Sequence, residues 1–165
     1  MIIVYTLLAL SLILFLVHLW KDKQKRTKGR VIELFLLYQL IFNVGIMSFL
    51  AFYGHTGLSD YVAEHMGWTS SPFQQELANC NLAFGVLGIL CIWFRWGFWA
   101  ATVIGSSVWL FADGIHHIFH AVYHENYTDG NIGYPLYSDL IVPVVLVIAL
   151  ILYVWWNTPW KSKKG

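Results

Sequence analysis

The sequence predicts an all-α integral membrane bundle of five transmembrane helices in a single domain over residues 1–165. Three observations predict it. With 58% apolar and 12% charged residues in 165, the chain is too apolar for a soluble domain of its size. Five apolar runs, 2–20, 31–53, 72–94, 97–124 and 135–156, each approach or exceed the roughly 20 residues that a bilayer requires. An odd number of crossings puts every Lys and Arg on one side, which makes that side the cytoplasm, with the N-terminus outside and the C-terminus cytoplasmic.

The first run, 2–20, has no basic segment before it and no small-residue cleavage site after it, so it reads as a retained anchor. Lys21, Lys23, Lys25, Arg26, Lys28 and Arg30 then fill the first connection with six of the ten basic residues. Positive-inside orientation and attraction to anionic lipid account for them without a nucleic-acid partner. The second run, 31–53, carries Gln39 and Asn43, which suit interhelical hydrogen bonding. The connection 54–71 has no Lys or Arg, and 58–68 is patterned as a short amphipathic helix on the outer surface, a possible lid.

Ser71-Pro72-Phe73-Gln74 predicts the start of the third helix, with Ser71 as cap, Pro72 at the first helical position and Gln74 returning to the cap. Gly85 and Gly88 in that run, and Ala100, Ala101, Gly105 and Ser106 in the next, predict close helix packing. Arg95 marks a cytoplasmic turn, and Lys161, Lys163 and Lys164 close the chain on the same side. Trp20, Trp93, Trp96, Trp99, Trp155, Trp156 and Trp160 are expected at the inner interface. Tyr53, Tyr61, Trp68, Tyr123, Tyr127, Tyr134 and Tyr137 are expected at the outer one. Cys80 and Cys91, about 16 Å apart along one helix, lie beyond disulfide reach.

The fourth run holds the chemistry. Asp113, His116, His117, His120 and His124 fall at about 0°, 300°, 40°, 340° and 20° on a helical wheel, a stripe roughly 100° wide. Taking Phe94 and Gly97 as facing ends, residues of runs three and four share a level when their numbers sum to about 191. That sets Glu76 opposite His116 and His117, and Asn79 opposite Asp113. The same count up the fifth run arrives beside Asp139, about 25 Å above the inner interface and so in the outer leaflet.

A charge in the membrane costs about 2.5 to 3.5 kcal/mol, and no Lys or Arg lies on this side to compensate Glu76, Asp113 and Asp139. A shared divalent metal ion bound by His116, His117, His120, Asp113, Glu76 and Asp139 is one solution, and zinc, non-haem iron or manganese suits that ligand set. A metal-free hydrogen-bonded or protonatable network is another, and simple interfacial placement a third. No CxxC, CxxCH or thiolate cluster supports structural zinc, iron–sulfur or attached haem.

Ser71-Pro72-Phe73-Gln74-Gln75-Glu76-Leu77-Ala78-Asn79, the run from Ala83 to Leu90, Phe98-Trp99-Ala100-Ala101-Thr102 and Asp113-Gly114-Ile115-His116-His117 together resemble a family of small bacterial multi-spanning membrane proteins of unknown function. The resemblance implies a multi-pass protein of the bacterial inner (plasma) membrane whose matching segments include Glu76, Asn79, Asp113 and His117. Three classes of function follow: a metal-dependent membrane enzyme, of oxidoreductase type, acting on a lipophilic substrate; a metal-ion or proton transporter or relay; and an accessory subunit of a larger membrane complex. Besides the lipid bilayer, the expected partner is a second copy of the chain or another membrane subunit, because five spans make a thin bundle.

Overall fold

The computed structural model describes residues 2–157, which form six helices and no strand. These are α1 (Ile2–Lys21), α2 (Lys28–Gly57), α3 (Ser59–Met66), α4 (Phe73–Leu90), α5 (Gly97–Tyr123) and α6 (Asp129–Asn157). Three of them, α2, α5 and α6, are long and apolar enough to cross a membrane. The apolar α1 has 20 residues and α4 has 18, the latter interrupted by Gln74, Gln75, Glu76, Asn79 and Asn81. Trp160 and the basic tail Lys161, Lys163 and Lys164 lie outside the described residues.

Local chemistry explains the helix ends. Thr27, with extended backbone, accepts the Arg30 N–H on its hydroxyl at 3.1 Å and caps α2. The α3 helix ends at Gly67 in the left-handed region (φ 67°), where Gly67 N–H reaches Glu64 O and Trp68 N–H reaches Ala63 O, a Schellman closure. The α4 helix stops at Leu90, four residues before the expected 94, and Arg95 folds back onto the carbonyls of the turn that follows it. Its guanidinium donates to Cys91 O and, at 2.7 Å, to Ile92 O, and lies 4.8 Å above the Trp99 ring. The expected cap on Ser71 is not made. The helix begins at Phe73, and the Gln74 side chain is instead taken up by His55 and Ser70.

At the end that carries the basic connections the bundle is solid. Leu36, Leu40, Val44, Cys91, Trp99, Val103, Leu146, Ala149 and Tyr153 form the core where α2, α5 and α6 meet. Trp99, expected at the interface, is fully buried and donates its indole N–H to Cys91 O at 2.9 Å. Asn157 donates to Gly29 O at 3.0 Å and ties the end of α6 to the start of α2. Beside them Arg30 pairs with Asp22 at 2.6 Å and with Glu33 at 3.0 Å. Hydrogen bonds from the Gln24 N–H and the Arg30 guanidinium hold the Asp22 carboxyl below the usual carboxylate range.

Two pairings shape the rest. The α5 and α6 helices form one antiparallel hairpin, and α4 packs along α2. The second pairing runs through a π-helical segment of α2, Leu40–Ile46, at the crossing with Gly88. A Cβ on Gly88 would overlap the Gly45 backbone and come 2.8 Å from Leu40 O, so only glycine lets these backbones approach. Between α4 and α5 contact is sparse and centres on the Phe84–Trp109 stack, 4.9 Å between rings. The two pairs are therefore joined at the basic end and part at the other.

Gly88→Val should cost about 1–3 kcal/mol of stability by forcing α2 and α4 apart. Gly97→Ala, which meets open space, should change it by less than about 0.5 kcal/mol. Thermal unfolding of the detergent-purified proteins checks both.

Candidate functional site

Where the pairs part, a cavity of about 670 Å³ opens, walled by α2, α4, α5 and α6 and roofed by α3 and Trp68. The roof is fastened by a chain of side-chain hydrogen bonds. Ser70 donates to Asp60 at 2.7 Å and accepts from Gln74 Nε2 at 3.4 Å, which leaves Gln74 Oε1 facing His55 Nδ1 at 3.3 Å. From the other side Asn126 donates to Met66 O at 2.8 Å. The amphipathic segment expected at 58–68 is thus a helix laid across a cavity.

His117 is the fixed point of the site. It is 4% exposed and bonds through Nδ1 to Asn131 Oδ1 at 2.8 Å. Asn131 has no exposed surface and donates through Nδ2 to His117 O at 3.0 Å and to Asn126 O at 2.9 Å. Two carbonyl acceptors on Nδ2 fix which end of the amide is oxygen, so Nδ1 of His117 must carry a proton. Nε2 is then the free ring nitrogen, and it stands 3.7 Å from Asp139 Oδ2, with the Asp139 side chain 14% exposed. Trp68 stacks on the same imidazole, rings 5.5 Å apart and 18° from parallel.

Asp113 lies one turn along α5 from His117 and lines the same cavity, as does Asp139. Between them Gly114 lets α6 come close: a Cβ there would stand 2.9 Å from Leu140 Cδ2 and 3.4 Å from Asp139 Cβ. His117, Asp113 and Asp139 are thereby gathered at one wall. The cavity lining includes no Lys, Arg or Glu.

The predicted stripe divides here. The buried face of α5 is centred on Gly114, His117 and Ala121, so the stripe lies across its edge. His116 is exposed, touches the cavity rim and meets the Trp68 ring edge-on, while His120 and His124 continue outward as a ladder of rings 4.5 and 4.8 Å apart. Glu76, expected opposite His116 and His117, is exposed and does not line the cavity. The level is shared, since Gln74 and Leu77 do line it, but the face is not. Ala78, Asn81, Gly85 and Gly88 form the buried face of α4, and seating them on α2 turns Glu76 and Asn79 outward. Asn79 accepts from Gln75 at 3.2 Å rather than meeting Asp113. Among the described residues no three His, Cys, Asp or Glu side chains converge closely enough to hold a metal ion.

Sequence reasoning missed Asn131, in a polar connection with nothing to distinguish it. It also placed Trp68 and Tyr134 in the outer aromatic belt, whereas both line the cavity. Trp68 Nε1 is buried without a hydrogen-bond partner.

Fold and site define a small all-helical protein with crossing-length apolar helices and an imidazole–carboxylate cavity at one end. Residues 1–158 match the family described as "Family of unknown function (DUF6790)", and the chain belongs to that family. No curated protein and no solved structure matches the chain.

Asn131→Ala should strand the His117 ring N–H and two carbonyls and cost about 1–3 kcal/mol for each buried group left without a partner. A marked fall in the unfolding midpoint checks this. Imidazole ¹⁵N spectra of the wild type should show Nδ1 of His117 protonated.

Proposed function

We propose that the chain is a five-pass protein of the bacterial inner membrane, N-terminus outside, whose outer-leaflet cavity holds a lipophilic small molecule against His117, Asp139 and Asp113. Three helices long and apolar enough to cross, with the shorter α1 and α4 beside them, support the topology. So does the distribution of charge: all seven described Lys and Arg residues belong to the α1–α2 and α4–α5 connections and the helix ends beside them. The observation that carries the function is the locked imidazole, its free Nε2 turned to a carboxylate in the wall of a largely apolar cavity. An imidazole so held exchanges a proton with a bound molecule through Nε2, while the carboxyls orient the ring and balance its charge. In an enzyme this centre works on a membrane-soluble substrate that enters from the lipid.

A second reading keeps the same residues and adds a divalent ion. The 3.7 Å between Nε2 and Oδ2 suits two ligands of one ion with bonds of about 2 Å, and Asn131 stands where a histidine ligand commonly has its outer partner. Water or the bound molecule would complete the coordination, and zinc, iron or manganese fits the two donors. Glu76 and His120 have no part in it, since neither lines the cavity. The relay and accessory-subunit readings rest on the sequence alone.

Protein purified without chelator should carry a lipophilic molecule by mass spectrometry, and His117→Ala with Asp139→Asn should lower its occupancy about tenfold or more. Elemental analysis of the same samples separates the readings. Stoichiometric zinc, iron or manganese that disappears in the double variant establishes the second, and metal-free protein that still carries the molecule establishes the first.

A further inference from the structure

The cavity holds two carboxyls and little to balance them. His117 Nε2 stands within reach of Asp139, but no ion pair reaches Asp113 among the described residues. The other imidazoles at the lining, His55, His65 and His116, lie on α2, on the roof and at the rim. His55 is engaged by Gln74, His65 stacks on Tyr61, and His116 meets the edge of Trp68. Every described Lys and Arg belongs to the far end of the bundle.

We infer that the molecule this cavity takes is a lipophilic organic cation, an apolar body bearing an ammonium-like or phosphonium-like charge. The inference rests on the reading of the cavity as a ligand site and adds the sign of the ligand's charge. An anionic lipid or fatty acid would meet Asp113 and Asp139 with no basic residue to receive it. A neutral lipid would fill the volume and leave the carboxyls to take up protons, since a bare charge costs about 2.5 to 3.5 kcal/mol toward mid-membrane, whereas a cation meets them ionised. A metal ion alone would balance charge but leave most of about 670 Å³ unfilled. A hydrophobic cation meets both demands. Trp68, Trp109 and Tyr134 belong to the lining, and aromatic rings beside a cation favour it as it sheds water.

The test uses two probes of the same shape and opposite charge, tetraphenylphosphonium and tetraphenylborate, with neutral triphenylphosphine oxide as a third. Each is titrated calorimetrically into the full chain in detergent, with empty micelles subtracted. Saturable phosphonium binding at least tenfold tighter than that of either other probe, weakened tenfold or more by Asp113→Asn or Asp139→Asn, is the expected result. If either variant fails to fold, the phosphonium-to-borate ratio of the wild type decides alone. Equal binding of neutral and cationic probes, or preference for the borate, overturns the charge assignment and leaves the cavity standing as a ligand site. No saturable binding of any probe overturns the cavity reading together with the inference.

Discussion

Two carboxyls on neighbouring apolar helices, beside a single well-held imidazole in the wall of one cavity, are the constraint on which this end of the protein turns. Asp113 and Asp139 are brought together by Gly114, which admits α6 to the surface of α5. Their neighbour His117 cannot swing away to solvent, because Asn131 holds its Nδ1 and is itself held by two backbone carbonyls. A network so placed is costly when partly satisfied and rigid when complete. What completes it is a proton, a metal ion or a charged ligand, and these are the functional alternatives.

The cavity is a consequence of where the packing is spent. Trp99, Tyr153 and the leucines of α2 and α6 close the basic end of the bundle, while Gly45 and Gly88 clamp α4 to α2. Once α4 is committed to α2, it leaves α5 along most of its length, and the Phe84–Trp109 stack bridges the gap. The space that results would expose α5 and α6 if α3 did not lie across it. Hydrogen bonds from Ser70, Gln74 and Asn126 hold that roof in place of a packed apolar core, an arrangement suited to opening.

How far the sequence disclosed this depends on the kind of information each feature needs. Helix positions are written in hydropathy and in the glycines and basic residues that flank the runs, so α5 was legible to within a residue, while α2 runs three and four residues past its expected ends and α6 starts six residues early. The level of the site was legible too, because helical rise is constant: residues near 76, 115 and 139 do share a height. Rotation about a helix axis was not. It depends on which face finds a partner, and the small-residue face from Ala78 to Gly88 outweighed the pull of a single acid, sending Glu76 outward. The same limit split the histidine stripe, since a stripe about 100° wide can straddle the edge of a buried face. Trp68, Trp99 and Tyr134 mimicked interface aromatics while serving the interior, and Asn131 acquires its meaning only from a chain reversal that brings it beneath His117.

The central claim is that His117 and Asp139 act as one unit. A double-mutant cycle on thermal stability, with His117→Gln, Asp139→Asn and the pair together in the same detergent, measures this most directly. An interaction energy between about 0.5 and 3 kcal/mol is expected, the double variant losing less than the sum of the single ones. Additive losses within about 0.3 kcal/mol would contradict it and leave the imidazole and the carboxylate as neighbours without a common role.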